Sequence, residues 1–243
     1  TTLLVRHGFG RGIELGLELP FVRHGGGSLD SFVENWHDFF GLPQNGRDTA
    51  PADRLEYHYE RDGVVELDLT EPVSGVGDLR LTAAYQLATS FPGDLALRAS
   101  VKLPTGASAR LLGSGSADLA LWLSAGCGAY CEGRWGWYGG GGLLFAGQGE
   151  VLADHQHHLI GFGAGGLAYR LVPAVTLKVQ FDAHTNFFEQ TDLPQIGAAS
   201  VQIVMGGTVL LSHRYVLDLA VSEELVHNTA SDVVLQAVLR ARF

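Results

Sequence analysis

The chain is poor in charge, in sulfur and in long apolar runs. Only 17% of its 243 residues are Asp, Glu, Lys or Arg, against roughly 25% in an ordinary soluble domain. Bases are the scarcer sign, 16 against 26 acids, for a net charge of −10. That balance disfavours nucleic acid as a partner, because phosphate neutralisation needs a basic surface. The longest stretch free of charge and histidine, Leu193 to Ser212, contains Pro194, Gln195, Gln202 and three glycines, a poor transmembrane helix. Two cysteines, Cys127 and Cys131, are too few for a paired metal site and lack the CxxCH of a c-type haem. A local disulfide between them and two free thiols both stay open. What fills the space left by charge is glycine, 33 residues, and an apolar fraction of 46% rules out disorder.

The apolar residues alternate with period two along almost the whole chain. Ile13, Leu15, Leu17, Leu19 and Phe21 share one face, as do Leu79, Leu81, Ala83, Tyr85 and Leu87. Val175, Leu177, Val179 and Phe181 repeat the pattern, and so do Val233, Leu235, Ala237, Leu239, Ala241 and Phe243. Each is a strand with one apolar and one wet face. A soluble sandwich alternates too, but many runs here are longer than the usual five or six residues and fit tilted membrane strands of about 9–11. Short turns at 8–11, 61–63, 90–93, 127–131, 170–174 and 212–213 alternate with longer loops, the plan of an outer-membrane barrel. With the short turns periplasmic, Tyr59, Tyr130, Trp135, Tyr169, Tyr215 and Phe243 fall at one end. Phe21, Phe145, Phe187 and Phe188 fall at the other, two aromatic belts.

The fold expected is an all-β antiparallel transmembrane β-barrel in one domain, residues 1–243, in the bacterial outer membrane. Its strands are 1–8, 11–24, 54–61, 63–70, 78–90, 93–104, 116–126, 132–146, 155–170, 173–187, 198–212, 213–224 and 232–243. These make thirteen, or twelve if residues 1–8 are not a strand. Single-chain bacterial barrels usually have an even number, so fourteen are expected in the intact protein, with an N-terminal strand missing here. An amphipathic helix is expected at 28–40 in the first long loop, capped by Ser28 or Asp30 and stopped by Gly41 and Pro43.

Three groups of residues look familiar. The last strand, ending Arg242-Phe243, resembles the C-terminal assembly signal of bacterial outer-membrane barrels, here Leu239, Ala241 and Phe243. Gly77-Asp78-Leu79, Lys102-Leu103-Pro104-Thr105-Gly106, Gly113-Ser114-Gly115-Ser116 and Asp118 resemble the outer-membrane family named for a MetA pathway of phenol degradation. Leu29 to Arg47, with Trp36-His37-Asp38-Phe39-Phe40-Gly41-Leu42-Pro43, is similar to a sister family of unknown function. The resemblance covers about residues 1–120. It implies a Gram-negative outer-membrane location and, by analogy, hydrophobic or aromatic solutes.

The wet faces would line a lumen. Its acids are Glu14, Glu18, Glu56, Glu60, Glu66 and Asp68, followed by Arg80, Arg98, Lys102, Arg134, Lys178, Arg214 and Arg240, with Asp118, Asp182, Asp218 and Arg242 among them. They either pair to fill the lumen or set a transverse field across a narrow pore. On the helix, Leu29, Phe32, Val33, Trp36, Phe39 and Phe40 form an apolar stripe that suits a rim contact or a lid. Gly139–Gly142 and Gly161, Gly163, Gly165 and Gly166 predict a bent wall. His155 and His157 share a face that could hold a metal weakly, though a solvated strand end explains them better. No GxSxG elbow is present, and Asp182 with His184 makes a weak case for a hydrolase. The reading is a narrow passive channel for small solutes, porin-like and without a cofactor or metal. Its partners are outer-membrane lipid, the barrel assembly machinery and the solute. A closed barrel binding an envelope protein is the alternative and a hydrolase the third. Deleting Phe243 should lower the amount of protein reaching the outer membrane in fractionated cells. Normal assembly of that variant would remove the C-terminal signal.

Overall fold

In a computed structural model, residues 1–41, 51–87, 93–127, 133–189, 191, 194–225 and 233–243 are described. The long alternating runs form β1 (Thr2–Gly10), β2 (Ile13–His24), β6 (Leu79–Gln86), β7 (Asp94–Leu103), β8 (Asp118–Gly126) and β9 (Trp135–Phe145). They continue as β10 (Leu159–Val172), β11 (Val175–His184), β12 (Ser200–Leu210), β13 (Tyr215–Glu224) and β14 (Val233–Ala241). These eleven pair in chain order in one antiparallel sheet, and the short β5 (Val73–Val76) adds to β2. Residues 54–61 and 63–70 are not part of this wall. β3 (Tyr57–Arg61) and β4 (Val64–Leu69) pair only with each other. At five and six residues they fall short of the 9–11 that a spanning strand needs.

The sheet is built inside out. Few large apolar side chains are buried, whereas Leu81, Leu97, Leu121, Leu177, Phe181 and Leu239 stand exposed on one face. A continuous apolar face of this extent is costly in water and suited to lipid. The other face curls inward. Side chains from β1, β2, β9, β11, β12, β13 and β14 line a single cavity of about 890 Å³. Trp135 and Tyr169 meet at a tilt at the short-turn end (centroids 4.8 Å apart). At that end Tyr215 and Phe243 are exposed too, while Tyr130 lies outside the described residues. Tyr59 is not in this belt, because it goes with the β3–β4 hairpin to the long-loop end.

The β8–β9 and β9–β10 ladders run through the glycines without a register shift. Their use is local: Gly142 faces Trp122 across the ladder, and Gly166 faces Tyr138. A Cβ on Gly142 would come within 2.0 Å of the Leu121 carbonyl and 2.4 Å of Trp122 Cβ. One on Gly166 would meet the Tyr138 hydroxyl at 2.7 Å. The missing side chains give room for the close approach of β8 at Gly142 and seat the end of the Tyr138 ring at Gly166.

Helix α1 (Asp30–Phe40) ends at Gly41, which takes the left-handed conformation at φ 67°. Leu29 stands at its N-cap with no side-chain cap bond, and the Asp30 carboxylate instead accepts the Asp53 amide at 2.6 Å. Pro43 lies outside the described residues. The buried stripe is Val33 and His37, while Leu29, Phe32, Phe39 and Phe40 are exposed.

Substituting Gly142→Leu should block folding into the heat-modifiable form seen on gels, since overpacking a filled site costs ~1–3 kcal/mol. Gly165→Ala, where a Cβ meets nothing within 4 Å, should fold normally. Equal behaviour of the two would remove the seat argument.

Candidate functional site

On the inward face, charges meet opposite charges on neighbouring or next-but-one strands. Glu18 lies 3.5 Å from Arg80 and 3.7 Å from Arg6, and Glu14 3.5 Å from Arg98. Asp218 holds Lys178 at 3.3 Å and Arg240 at 2.5 Å, and the Thr208 hydroxyl donates to the same carboxylate. Gln180 donates to Asp182 at 2.7 Å. Arg134 and Arg214 stand at short turns instead. Arg134 reaches the Tyr169 hydroxyl at 3.5 Å, and the Arg214 carbonyl accepts the Arg242 amide. Arg6 was not evident as a lumen residue, although it keeps the alternation of β1.

Between these pairs lies an apolar hollow. Trp122, Tyr138, Ile160, Phe162 and Phe187 line a cavity of about 520 Å³ floored by Gly139, Gly140 and Gly163. Arg98, Ser124, Asp182 and His184 add polar atoms to its lining. Trp122 and Phe162 approach edge to face with centroids 6.2 Å apart, and Ile160 is fully buried. Phe187 thus turns into the lumen and not into the outer belt. The signal for these residues was in the sequence: Trp122 keeps the parity of Asp118, and Tyr138 that of the inward glycines. His184 Nδ1 pairs with the Thr185 carbonyl at 2.9 Å and Asp182 with Gln180, so the two form no catalytic relay.

The motif residues of 77–118 converge on one buried knot at the long-loop end. Lys102 Nζ lies 2.5 Å from Asp118, 3.6 Å from Asp78 and 2.5 Å from Ser114 Oγ. Asp78 accepts the amides of Gly106 and Ser114, each at 2.9 Å. Asp118 accepts the Ser116 hydroxyl at 3.0 Å and the Gly147 amide at 3.1 Å. Thr105 donates its hydroxyl to the Gly77 carbonyl. A Cβ on Gly113 would stand 2.3 Å from Asp78 Oδ1, which explains the glycine. The knot clamps loop 104–117, and Leu112 of that loop is buried beneath Gly75.

The long excursion from β2 to β6 reaches across the long-loop end. Glu66 lies 3.3 Å from His155 Nε2, Arg61 donates to His155 Nδ1 at 3.3 Å, and Tyr59 packs edge-on against the same ring. His155, buried in the β9–β10 connection, thereby holds the β3–β4 hairpin. On the other side, buried His37 of α1 lies 3.7 Å from Glu223 at the end of β13. His157 goes separately to Glu189 at 3.4 Å. Glu56, Glu60, Glu66 and Asp68 therefore belong to this excursion and not to the wall: Glu56 pairs with Arg54, and Glu60 and Asp68 with His58. Their alternation is that of a hairpin outside the wall. The Cys127–Cys131 pairing lies outside the description, because Cys131 is not among the described residues. Cys127 Sγ accepts the Trp137 amide at 3.3 Å.

A profile of the family described as Protein of unknown function (DUF3187) matches residues 1–243. No curated protein matches the chain by sequence. Among solved structures, the COG4313 outer membrane channel from Pseudomonas putida F1 superposes with a TM-score of 0.62 over 98% of this chain and 80% of that one. At 16% identity the likeness is one of fold, that of an antiparallel β-barrel.

Replacing Lys102 with Met leaves two buried carboxylates facing each other, and breaking a buried pair this way costs ~3–5 kcal/mol. Arg80→Met, at a half-exposed pair, should cost under ~1 kcal/mol. Urea midpoints of the two variants in detergent measure the difference, and equal shifts would show that the knot bears no special load.

Proposed function

We propose that this chain, which belongs to the DUF3187 family, forms the wall of a narrow outer-membrane channel for small hydrophobic or aromatic solutes, covered at its outer mouth by α1 and the β3–β4 hairpin. The observation that carries the reading is the aromatic hollow on the inward face, an apolar step in a lumen otherwise lined by paired charge. A planar solute would lie against Trp122 and Phe162 and aim a polar group at Asp182 or His184. Burying about 100 Å² of solute at ~25 cal/mol/Å² yields ~2.5 kcal/mol, weaker than the ~4 kcal/mol of a millimolar Kd. Binding of that strength favours entry and permits exit, as conduction requires.

The fold supports the cover as well. In the strand order β2 stands second, β9 and β10 sixth and seventh, and β13 tenth. The hairpin, leaving β2 and clipped to His155 between β9 and β10, thus runs nearly across the mouth. Helix α1, leaving β2 and reaching β13 through His37, spans the seam side. Leu29, Phe32, Trp36, Phe39 and Phe40 suit the headgroup zone or the inside of a lid.

Single-channel recording of the refolded protein in a planar bilayer tests the channel. Stepwise openings are expected, with benzyl alcohol reducing the current and Trp122→Ala weakening that block several-fold. Silence from folded protein would sink the reading in favour of a closed barrel. Replacing residues 57–69 with a short Gly-Ser linker should raise conductance, and deleting 29–40 should raise it by a separate increment. If neither deletion changes the current, the excursion is a rim decoration.

A further inference from the structure

We propose that the aromatic hollow holds a monovalent organic cation, an ammonium on a compact aromatic or aliphatic body, with Asp182 as its counter-ion. The proposal deepens the channel reading and rests on its choice of the hollow as the place where solute binds. Its starting point is an unbalanced charge. On the inward face Glu14 has Arg98 at 3.5 Å and Glu18 has Arg80 at 3.5 Å, while Asp118 has Lys102 and Asp218 has Arg240, each at 2.5 Å. Asp182 has no base within ion-pair distance among the described residues, and its one hydrogen-bond donor there is the neutral Gln180 amide at 2.7 Å. A carboxylate offers about four acceptor sites, so most of its capacity is open to the hollow that it lines.

The strand register fixes what surrounds that carboxylate. On β11, β10, β9 and β8 in turn, Asp182, Ala164, Gly140 and Ser124 stand in one row across the inward face. The next inward row toward the long loops is His184, Phe162, Gly142 and Trp122, and the next toward the short turns is Gln180, Gly166, Tyr138 and Gly126. Asp182 thus closes one end of a trough whose middle is small and whose two banks carry aromatic rings. Rings attract cations over their faces, and aromatic cages are a recurring seat for organic ammonium groups. A neutral solute would leave the carboxylate uncompensated, and an anion would be repelled by it. A divalent metal wants six or more oxygen ligands, and the described residues hold no cluster of that kind. Arg98, which also lines the hollow, is engaged already: its guanidinium meets Glu14 and donates to Ser124 at 2.9 Å. It stands on β7, four strand spacings of ~4.8 Å from Asp182. His184 turns Nδ1 to the Thr185 carbonyl and packs against Phe187. The approach favours the same sign. Exposed Glu71, Glu150 and Asp154 lie at the long-loop end with no ion-pair partner among the described residues. Exposed Arg134, Arg170, Arg214 and Arg242 stand at the short-turn end. A cation is therefore drawn in from the outer mouth.

Benzylamine and benzyl alcohol, alike in size and different in charge at neutral pH, test the assignment. Their binding is measured by isothermal titration of the folded protein in a neutral detergent, and current through the protein is recorded separately. The amine should bind about tenfold tighter than the alcohol, the worth of one charge-assisted contact, and benzoate should bind weakest. In protein that keeps its heat-modifiable migration, Asp182→Asn should bring the amine down to the level of the alcohol. Asp182→Glu should keep the preference, and Trp122→Ala should weaken both ligands. The preference should persist in about 1 M salt, where a Debye length of about 3 Å silences the exposed acids of the mouth. Equal affinity for amine and alcohol, tighter binding of benzoate, or a preference that survives Asp182→Asn overturns the proposal. A folded protein that shows the expected binding yet passes no current would sink the channel and leave the cation site standing. Stepwise openings without a preference for the amine would do the reverse, and binding of neither compound would overturn both.

Discussion

The backbone hydrogen-bond ladder is the constraint on which the rest of this structure depends. In an apolar surrounding an amide or carbonyl must find its partner inside the protein, so the wall is a meander in which each strand pairs with the next over six to eleven residues. Once the ladder holds the backbone, side chains need not form a core. The outward face can be leucine and valine, the inward face charge and glycine, and the alternation of the strand sorts one from the other. Lipid, not a packed interior, receives the apolar area.

With stability assigned to the ladder, the inward face is free for other uses. Opposite charges pair there across one or two strand spacings. Glycine at Gly142 admits the close approach of β8, and at Gly166 it leaves room for the end of the Tyr138 ring. At the long-loop end the reverse holds. There the Asp78–Lys102–Asp118 knot and the His155 clip bury charged and polar groups, and connections that would otherwise wander acquire defined positions over the mouth.

How much of this was legible follows from which signals are local. Alternation revealed the wall strands, and Gly41 revealed the end of α1, because both are properties of a few consecutive residues. Residues 54–70 misled for the same reason. A hairpin outside the wall alternates as a wall strand does, and only its pairing partners tell them apart. The stripe of helix α1 was legible, but not that its Val33 is buried together with His37 of the polar face, which lies 3.7 Å from Glu223 on a distant strand. The motif residues between Gly77 and Asp118 were recognisable as a pattern, but their purpose required seeing Asp78, Ser114 and Asp118 meet at the Lys102 ammonium group.

By itself the sequence determined the class of object: its strands, the two faces of each, the unequal turns and the low charge that suits a lipid-facing wall. Period-two alternation is written residue by residue, and the backbone offers few other ways to satisfy it. Only the tertiary structure decided which strands join the wall, which acids leave it for the mouth, that the inward aromatics gather on a glycine floor, and that the two edge strands run in the same direction. Those are relations between residues tens to hundreds of positions apart, set by ladder register and by the direction in which the sheet curls, and no window of consecutive residues contains them.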